Sequence, residues 1–105
     1  GKPADAEQAR ATLTALAGRT HEVISGIVLD DRATVAVTKV TFRALQEGTI
    51  DRYVATDEWR DRAGGYAIQG RGAALVRGIE GDYLNVVGLP VAALLDLLQS
   101  SDFPV

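Results

Sequence analysis

The chain contains no cysteine, which excludes disulfides, thiol nucleophiles and cysteine-ligated zinc. That absence is compatible with a reducing cytosol. Histidine occurs once, at His21, with no Cys, His or Asp beside it at ligand spacing. A lone imidazole is a weak metal site, and no Ser-His-Asp order can be built on it. His21 is therefore expected to be a strand residue with a hydrogen-bonding partner. No apolar run approaches the roughly 18 residues a bilayer span requires. The longest, 89–98, is broken by Pro90 and Asp96, so no membrane partner is expected. The opening residues Gly1-Lys2-Pro3-Ala4-Asp5 lack an apolar signal segment, and methionine is absent throughout. No basic stripe is present either: 11 Lys and Arg are interspersed with 14 Asp and Glu for a net charge of −3. This argues against a nucleic-acid groove. It leaves room for a single nucleotide, whose phosphates need only a few cations and a metal.

What is present is a 105-residue chain, 47% hydrophobic, enough for one domain or part of one with a modest core. Residues 3–17 read as a helix: Pro3 suits its first turn, Asp5 and Glu7 its positive end, and Ala9, Leu13 and Leu16, with Ala6 and Thr12, one stripe. Gly18 closes it. Residues 21–29 and 33–45 read as two strands joined at Asp30-Asp31-Arg32, an antiparallel hairpin. Their alternation changes phase between Val37 and Val40, which suggests a bulge near Thr38-Lys39. Residues 46–55 read as a short helix with Thr49 as a plausible cap for Ile50 onward, and with Ile50, Tyr53 and Val54 on one side. In the charged turn 57–62, Trp59 is expected to fold over a hydrophobic edge. Residues 73–79 read as a buried strand, 85–89 as a compact loop, and Pro90 starts a last helix with Leu94, Leu95, Leu97 and Leu98 on its apolar side. Residues 100–105 are expected to fray. The fold class expected is α/β, a mixed, mainly antiparallel sheet of three to four strands with flanking helices.

One stretch carries chemistry. Residues 63–72 hold Gly64, Gly65, Gly70 and Gly72 together with Gln69. The glycines alone read as a turn between two elements. They also let main chain approach a ligand, and Gln69 offers two donors and an acceptor, enough to read the edge of a base or a sugar. No Gly-Lys-Ser/Thr follows, and the spacing does not place a dinucleotide fingerprint after a strand. Lys2, at the entrance of the first helix, is either an ordinary exposed lysine or a phosphate ligand acting with the free N–H groups of the helix. Arg19 and Arg43 are expected to be salt-bridge or surface groups.

Ala63-Gly64-x-Tyr66-Ala67-Ile68-Gln69-Gly70-x-Gly72 resembles the signature of the Maf family, nucleoside triphosphate pyrophosphatases also known as septum-formation inhibitors. Other pieces agree in order: Gly1-Lys2-Pro3, Leu16-Ala17-Gly18-Arg19-x-His21, Val40-Thr41-Phe42-Arg43, Tyr53-Val54-Ala55 and Ile79-Glu80-Gly81-Asp82-Tyr83-x-Asn85 through Pro90. The likeness covers nearly the whole chain. It departs at Trp59, where the family often has proline, and at Arg62, where lysine is frequent. Arg62 keeps the charge but presents a planar fork where lysine is a point charge, so no phosphate role is carried over to it.

The resemblance implies one half of an elongated two-lobed fold. The Gly-Lys-Pro motif lies well inside family members, so residues 1–105 are expected to be the C-terminal portion of such a domain. It implies hydrolysis of the α–β phosphoanhydride of a nucleoside triphosphate, a house-cleaning role, a divalent metal (Mg²⁺ or Mn²⁺), a cytoplasmic setting and a homodimer. Lys2 and Gln69 are the substrate-binding residues it marks, with Gln69 setting base choice. The Tyr-Ala-Ile-Gln-Gly wording is similar to the branch that prefers dTTP and UTP. No catalytic residue is expected in this chain: the family's aspartate belongs to a preceding segment, and Asp5, Asp51 and Asp61 lack a second carboxylate at metal-site spacing. Two functions stay open, a dTTP/UTP pyrophosphatase and a non-catalytic module that binds nucleotide or dimerises in cell-division control.

Overall fold

Asp5 sets where the first helix begins. In the computed structural model, which describes residues 2–88 and 90–99, helix α1 spans Ala6–Leu16. The Asp5 carboxylate accepts the Gln8 N–H at 2.8 Å, and Gln8 Oε1 reaches back to the Ala4 N–H at 2.9 Å. This reciprocal pair is close to a capping box and starts the helix later than Pro3 suggests. Gly18, at φ 69°, ends it as expected. Ala9 and Leu13 are fully buried and Leu16 partly so, whereas Ala6, assigned to the same stripe by spacing, is exposed.

Strands β1 (Thr20–Leu29) and β2 (Arg32–Phe42) form the expected hairpin, closed at Asp30-Asp31 with Asp30 at φ 56°. Strand β1 ends at Leu29 and β2 begins at Arg32, so two residues make the turn. At the other end the Thr20 and Thr41 hydroxyls lie 2.8 Å apart, and the Phe42 N–H donates to Arg19 O at 2.9 Å. The register is the same at both ends, and burial alternates along β2 without a break. The bulge expected near Thr38-Lys39 is therefore not formed. The misleading signal is an apolar outer face: Val35 and Val37 point outward with Ile24 and Val28, all exposed, while Thr38, Val40 and Phe42 point in. Strand β2 also stops at Phe42, short of residue 45.

Helix α2 spans Glu47–Val54 and begins after Gln46. Thr49, expected as its cap, lies within the first turn, where its hydroxyl accepts from Arg52 at 3.3 Å. Ile50, Tyr53 and Val54 are buried as their spacing implies. Trp59 corrects the reading of the charged turn. It is only 1% exposed, and its indole N–H donates to Val54 O at 2.9 Å, satisfying a carbonyl at the helix end. The Arg60 guanidinium lies 4.7 Å over its ring.

A 3₁₀ turn at Ala63–Gly65 and another at Arg71–Leu75 bracket the glycine stretch. Strand β3 (Val76–Glu80) then joins the sheet, which is antiparallel in the order β1-β2-β3. The buried strand expected over 73–79 is thus shorter and mostly exposed; Leu75, just before it, is the buried residue. Residues 71 and 72 curl because their N–H groups turn to a side chain instead of a ladder. The loop expected at 85–89 is helix α3 (Tyr83–Val87), capped by Asp82, whose carboxylate accepts the Leu84 N–H at 2.9 Å. Helix α4 (Val91–Gln99) follows Pro90 as expected, with Leu97 buried and Leu94 exposed. Gly1, Leu89 and the tail 100–105 lie outside the described residues.

The fold is α/β, as expected. The chain divides into two compact units, Gly1–His21 with Val40–Gly78, and Glu22–Lys39 with Ile79–Val105. In the first, Ala9 and Leu13 from α1, Ile50, Tyr53 and Val54 from α2, Val40 and Phe42 from β2, and Trp59, Tyr66, Ile68 and Leu75 form the core. In the second, Thr38, Asn85 and Leu97 are the buried residues among those described. No described helix is long and apolar enough to cross a membrane.

Candidate functional site

The glycine stretch lies in the first unit, and two side chains from the preceding segment hold it. Thr56 Oγ1 donates to Tyr53 O at 2.6 Å and accepts the Glu58 N–H at 3.2 Å, which turns Glu58 back over the end of α2. The Tyr53 hydroxyl then donates to Glu58 Oε1 at 2.8 Å and accepts the Ala67 N–H at 3.0 Å. Glu58 Oε1 also accepts the Gly72 N–H at 2.8 Å, and Oε2 the Arg71 N–H at 2.9 Å. The Gly70 N–H closes a turn on Ala67 O at 3.1 Å.

This arrangement explains two glycines by space. A Cβ on Gly70 would come within 2.5 Å of Glu58 Oε2, and one on Gly72 would run into the Ala67 carbonyl. Gly64 and Gly65 are needed for conformation, at φ 79° and 78°. Burial works to raise the Glu58 carboxyl, but the Arg71 N–H, the Tyr53 hydroxyl and the Gly72 N–H hold it below the usual carboxylate range. Burial, with the Glu58 charge beside it, pushes the Tyr53 hydroxyl far up, so it stays a donor.

The front of the stretch is pinned by Tyr66. Its hydroxyl lies 2.7 Å from His21 Nε2, the hydrogen-bonding partner expected for His21. Phe42 packs edge-on against both rings, with centroids 5.2 Å from His21 and 4.8 Å from Tyr66. Burial lowers the His21 pKa and pushes the Tyr66 hydroxyl up to about 12.

Gln69 stands in the turn between Ala67 and Gly70, exposed, with no side-chain hydrogen bond among the described residues. Lys2 is exposed ahead of α1. A Cβ on Gly65 would lie 3.3 Å from Pro3 Cγ, so the residue after Lys2 packs beside the stretch. The helix start offers less to an anion than its sequence suggests, because the Asp5 carboxylate takes the Gln8 N–H. Asp51 pairs with Arg10 at 2.6 Å, and Asp61 sits in an exposed turn at φ 58°. Arg19, Arg43 and Arg62 are exposed, without an ion pair among the described residues. A divalent metal needs several oxygen donors converging. Among the described residues no group of three or more His, Cys, Asp or Glu could hold one, so the residues present do not fit that metal.

Tyr53 and Glu58 went unrecognised as site residues in the sequence, where one reads as a core aromatic and the other as a solvated charge. The available signal was indirect: Gly70 and Gly72 leave room for something, but only the fold shows a carboxylate and a carbonyl there.

The glycine turn of this α/β unit leaves the Gln69 amide exposed. The family model for Maf-like protein matches residues 1–101, and the chain belongs to that family. It is 52% identical over 103 residues to a dTTP/UTP pyrophosphatase of Pyrococcus furiosus, covering 94% of this chain and 54% of that protein. It is 49% identical over 108 residues to a dTTP/UTP pyrophosphatase of Myxococcus xanthus, covering 100% of this chain and 55% of the relative. A third, from Pelotomaculum thermopropionicum, is 46% identical over 111 residues and carries the same name. The chain spans about half the length of these relatives.

Proposed function

We propose that the protein carrying this chain is a pyrophosphatase that hydrolyses dTTP and UTP, and related non-standard pyrimidine nucleotides, to the monophosphate and pyrophosphate. The observation that carries the reading is the likeness to dTTP/UTP pyrophosphatases across nearly the whole chain, 52% in one case, with Gln69 inside the matched residues. A uracil or thymine edge presents acceptor, donor, acceptor, and a carboxamide has both kinds of group to meet it. In this reading Gln69 contacts the base and Lys2 contributes a cation to the phosphates. These residues bind and orient. The nucleophile is water; the carboxylate base that would take its proton and the groups that would hold a metal, Mg²⁺ or Mn²⁺, come from the part of the relatives' length outside the match. The names of the relatives favour this enzyme over a non-catalytic binding module. A cytoplasmic house-cleaning role and a homodimer belong to the same reading.

The test is turnover of the complete protein on the nucleoside triphosphates, with pyrophosphate release as the readout. The expected result is that dTTP and UTP lead and that Gln69→Glu erases the lead. Equal turnover of all bases by the unaltered protein would remove the reading. Unchanged selectivity in Gln69→Glu would remove Gln69 from it.

A further inference from the structure

Main chain on both sides of Gln69 is held by the same pair of side chains. Tyr53 takes the Ala67 N–H before it, and Glu58 takes the Arg71 and Gly72 N–H groups after it. Between them, Ala67 O and the Gly70 N–H close the turn at 3.1 Å, which fixes the Cα of Gln69. The amide itself has no partner among the described residues and is exposed. A long side chain that must meet a ligand edge gains most from an anchored main chain, because a small misplacement already lowers discrimination. Glu58 is suited to this. Its two oxygens take three donors, and the Tyr53 hydroxyl is both a donor to Glu58 and an acceptor for Ala67, so the segments before and after Gln69 are coupled through one carboxylate.

We propose that Glu58, together with Tyr53, is a positioning residue for base selectivity, fixing where the Gln69 amide stands against the pyrimidine edge. This rests on the reading of Gln69 as the base reader. A stabilising role alone would make Glu58 matter equally for every nucleotide, whereas a positioning role makes it matter for the difference between bases.

The experiment measures kcat/KM for UTP and CTP with the complete protein, unaltered and as Glu58→Gln, Gln69→Ala and the double variant. CTP differs from UTP at the base edge, where an exocyclic amino group and an unprotonated ring nitrogen replace a carbonyl and a ring N–H. The amide of Glu58→Gln turns a donor toward the Arg71 N–H and breaks that bond. The UTP-to-CTP ratio should fall about tenfold or more in Glu58→Gln, as in Gln69→Ala. The double variant should fall no further than Gln69→Ala, because Glu58 acts through Gln69. A ratio preserved in Glu58→Gln, with activity lowered equally for both nucleotides, would overturn the proposal. Should Glu58→Gln fail to fold in a thermal melt, Tyr53→Phe removes the hydroxyl's two bonds and carries the same expectation. An unaltered protein with a UTP-to-CTP ratio near one would sink the underlying function, and this inference with it.

Discussion

Asn85 reaches the Thr38 hydroxyl at 3.1 Å, and that hydroxyl donates in turn to Asp82 O at 3.0 Å, tying the start of α3 to an inward residue of β2. The same Asn85 amide nitrogen lies 3.0 Å from Val23 O and 3.2 Å from Ala36 O, so one buried side chain serves both strands of the hairpin. Three oxygens around one nitrogen demand a donor. Asn85→Ala should cost about 1–3 kcal/mol, the usual penalty for stranding buried polar groups. Asn85→Asp should cost more at neutral pH, because a carboxylate would face those oxygens. An aspartate there has its folded pKa raised above its unfolded value, so the variant should regain stability as pH falls and its carboxyl becomes a donor. Melting curves of both variants at two pH values check this.

The indole of Trp59 makes an internal reporter, since the chain has one tryptophan. It is buried and bonded to Val54 O. Trp59→Phe should destabilise by about 1–2 kcal/mol through the lost hydrogen bond. Trp59→Ala should cost about 3–5 kcal/mol through the cavity as well. In the unaltered chain, emission should be blue-shifted when folded and move red with the same denaturant midpoint as the circular dichroism.

How far the sequence foretold these features depends on the range of each signal. Helix α1, the hairpin and α2 were legible because the Gly18 stop, alternation and stripe spacing are local, whereas Thr49 was a false cap for α2. A bulge was expected near Thr38-Lys39 because Val35 and Val37 are apolar yet point outward, and alternation cannot tell an apolar outer face from a slipped strand. Helix α3 was missed because Tyr83, Val86 and Val87 favour strand or loop, and Asp82 capping outweighs them. Gln69 stood out by its company of glycines, whereas Glu58 did not. Its partners lie 5, 13 and 14 residues away, and a carboxylate in a charged run looks solvated until the fold brings main-chain N–H groups to it.

His21 should titrate below its ordinary value of 6.5, because burial disfavours the imidazolium. A base with a depressed folded pKa contributes stability that is intact above 6.5 and is lost as pH falls through the folded pKa. Its ring signals can be followed by NMR without assignment ambiguity, since it is the only histidine. The midpoint should move toward the ordinary value when the chain is unfolded in urea. A folded midpoint at or above 6.5 would contradict the buried geometry.

Glu58 gives a second and separate acid dependence. Its folded pKa lies below the ordinary 4.5, so its contribution is present above that value and is lost as pH falls through the folded pKa. Glu58→Gln should therefore melt below the unaltered protein at neutral pH, and the gap should narrow on acidification toward pH 3. The comparison cancels titrations common to both proteins, among them that of His21.

Gly70 and Gly72 separate the carboxylate from the turn it holds. Both refuse a Cβ, but against different obstacles: Glu58 Oε2 for Gly70, the Ala67 carbonyl for Gly72. A side chain can be removed and main chain cannot. Gly70→Ala should cost about 2 kcal/mol, because the methyl displaces Glu58 from the Arg71 and Gly72 N–H groups. In a Glu58→Ala background the obstacle is gone, so adding Gly70→Ala should cost little beyond Glu58→Ala alone. Gly72→Ala should stay costly in that background, since its collision with the Ala67 carbonyl remains when Glu58 is gone. Denaturant midpoints of the two double-mutant cycles give the coupling directly. Stronger coupling of Glu58 to Gly70, whose Cβ it blocks, than to Gly72, whose N–H it accepts, is the pattern this geometry requires. Equal coupling would remove the Glu58 carboxylate as the particular obstacle at Gly70.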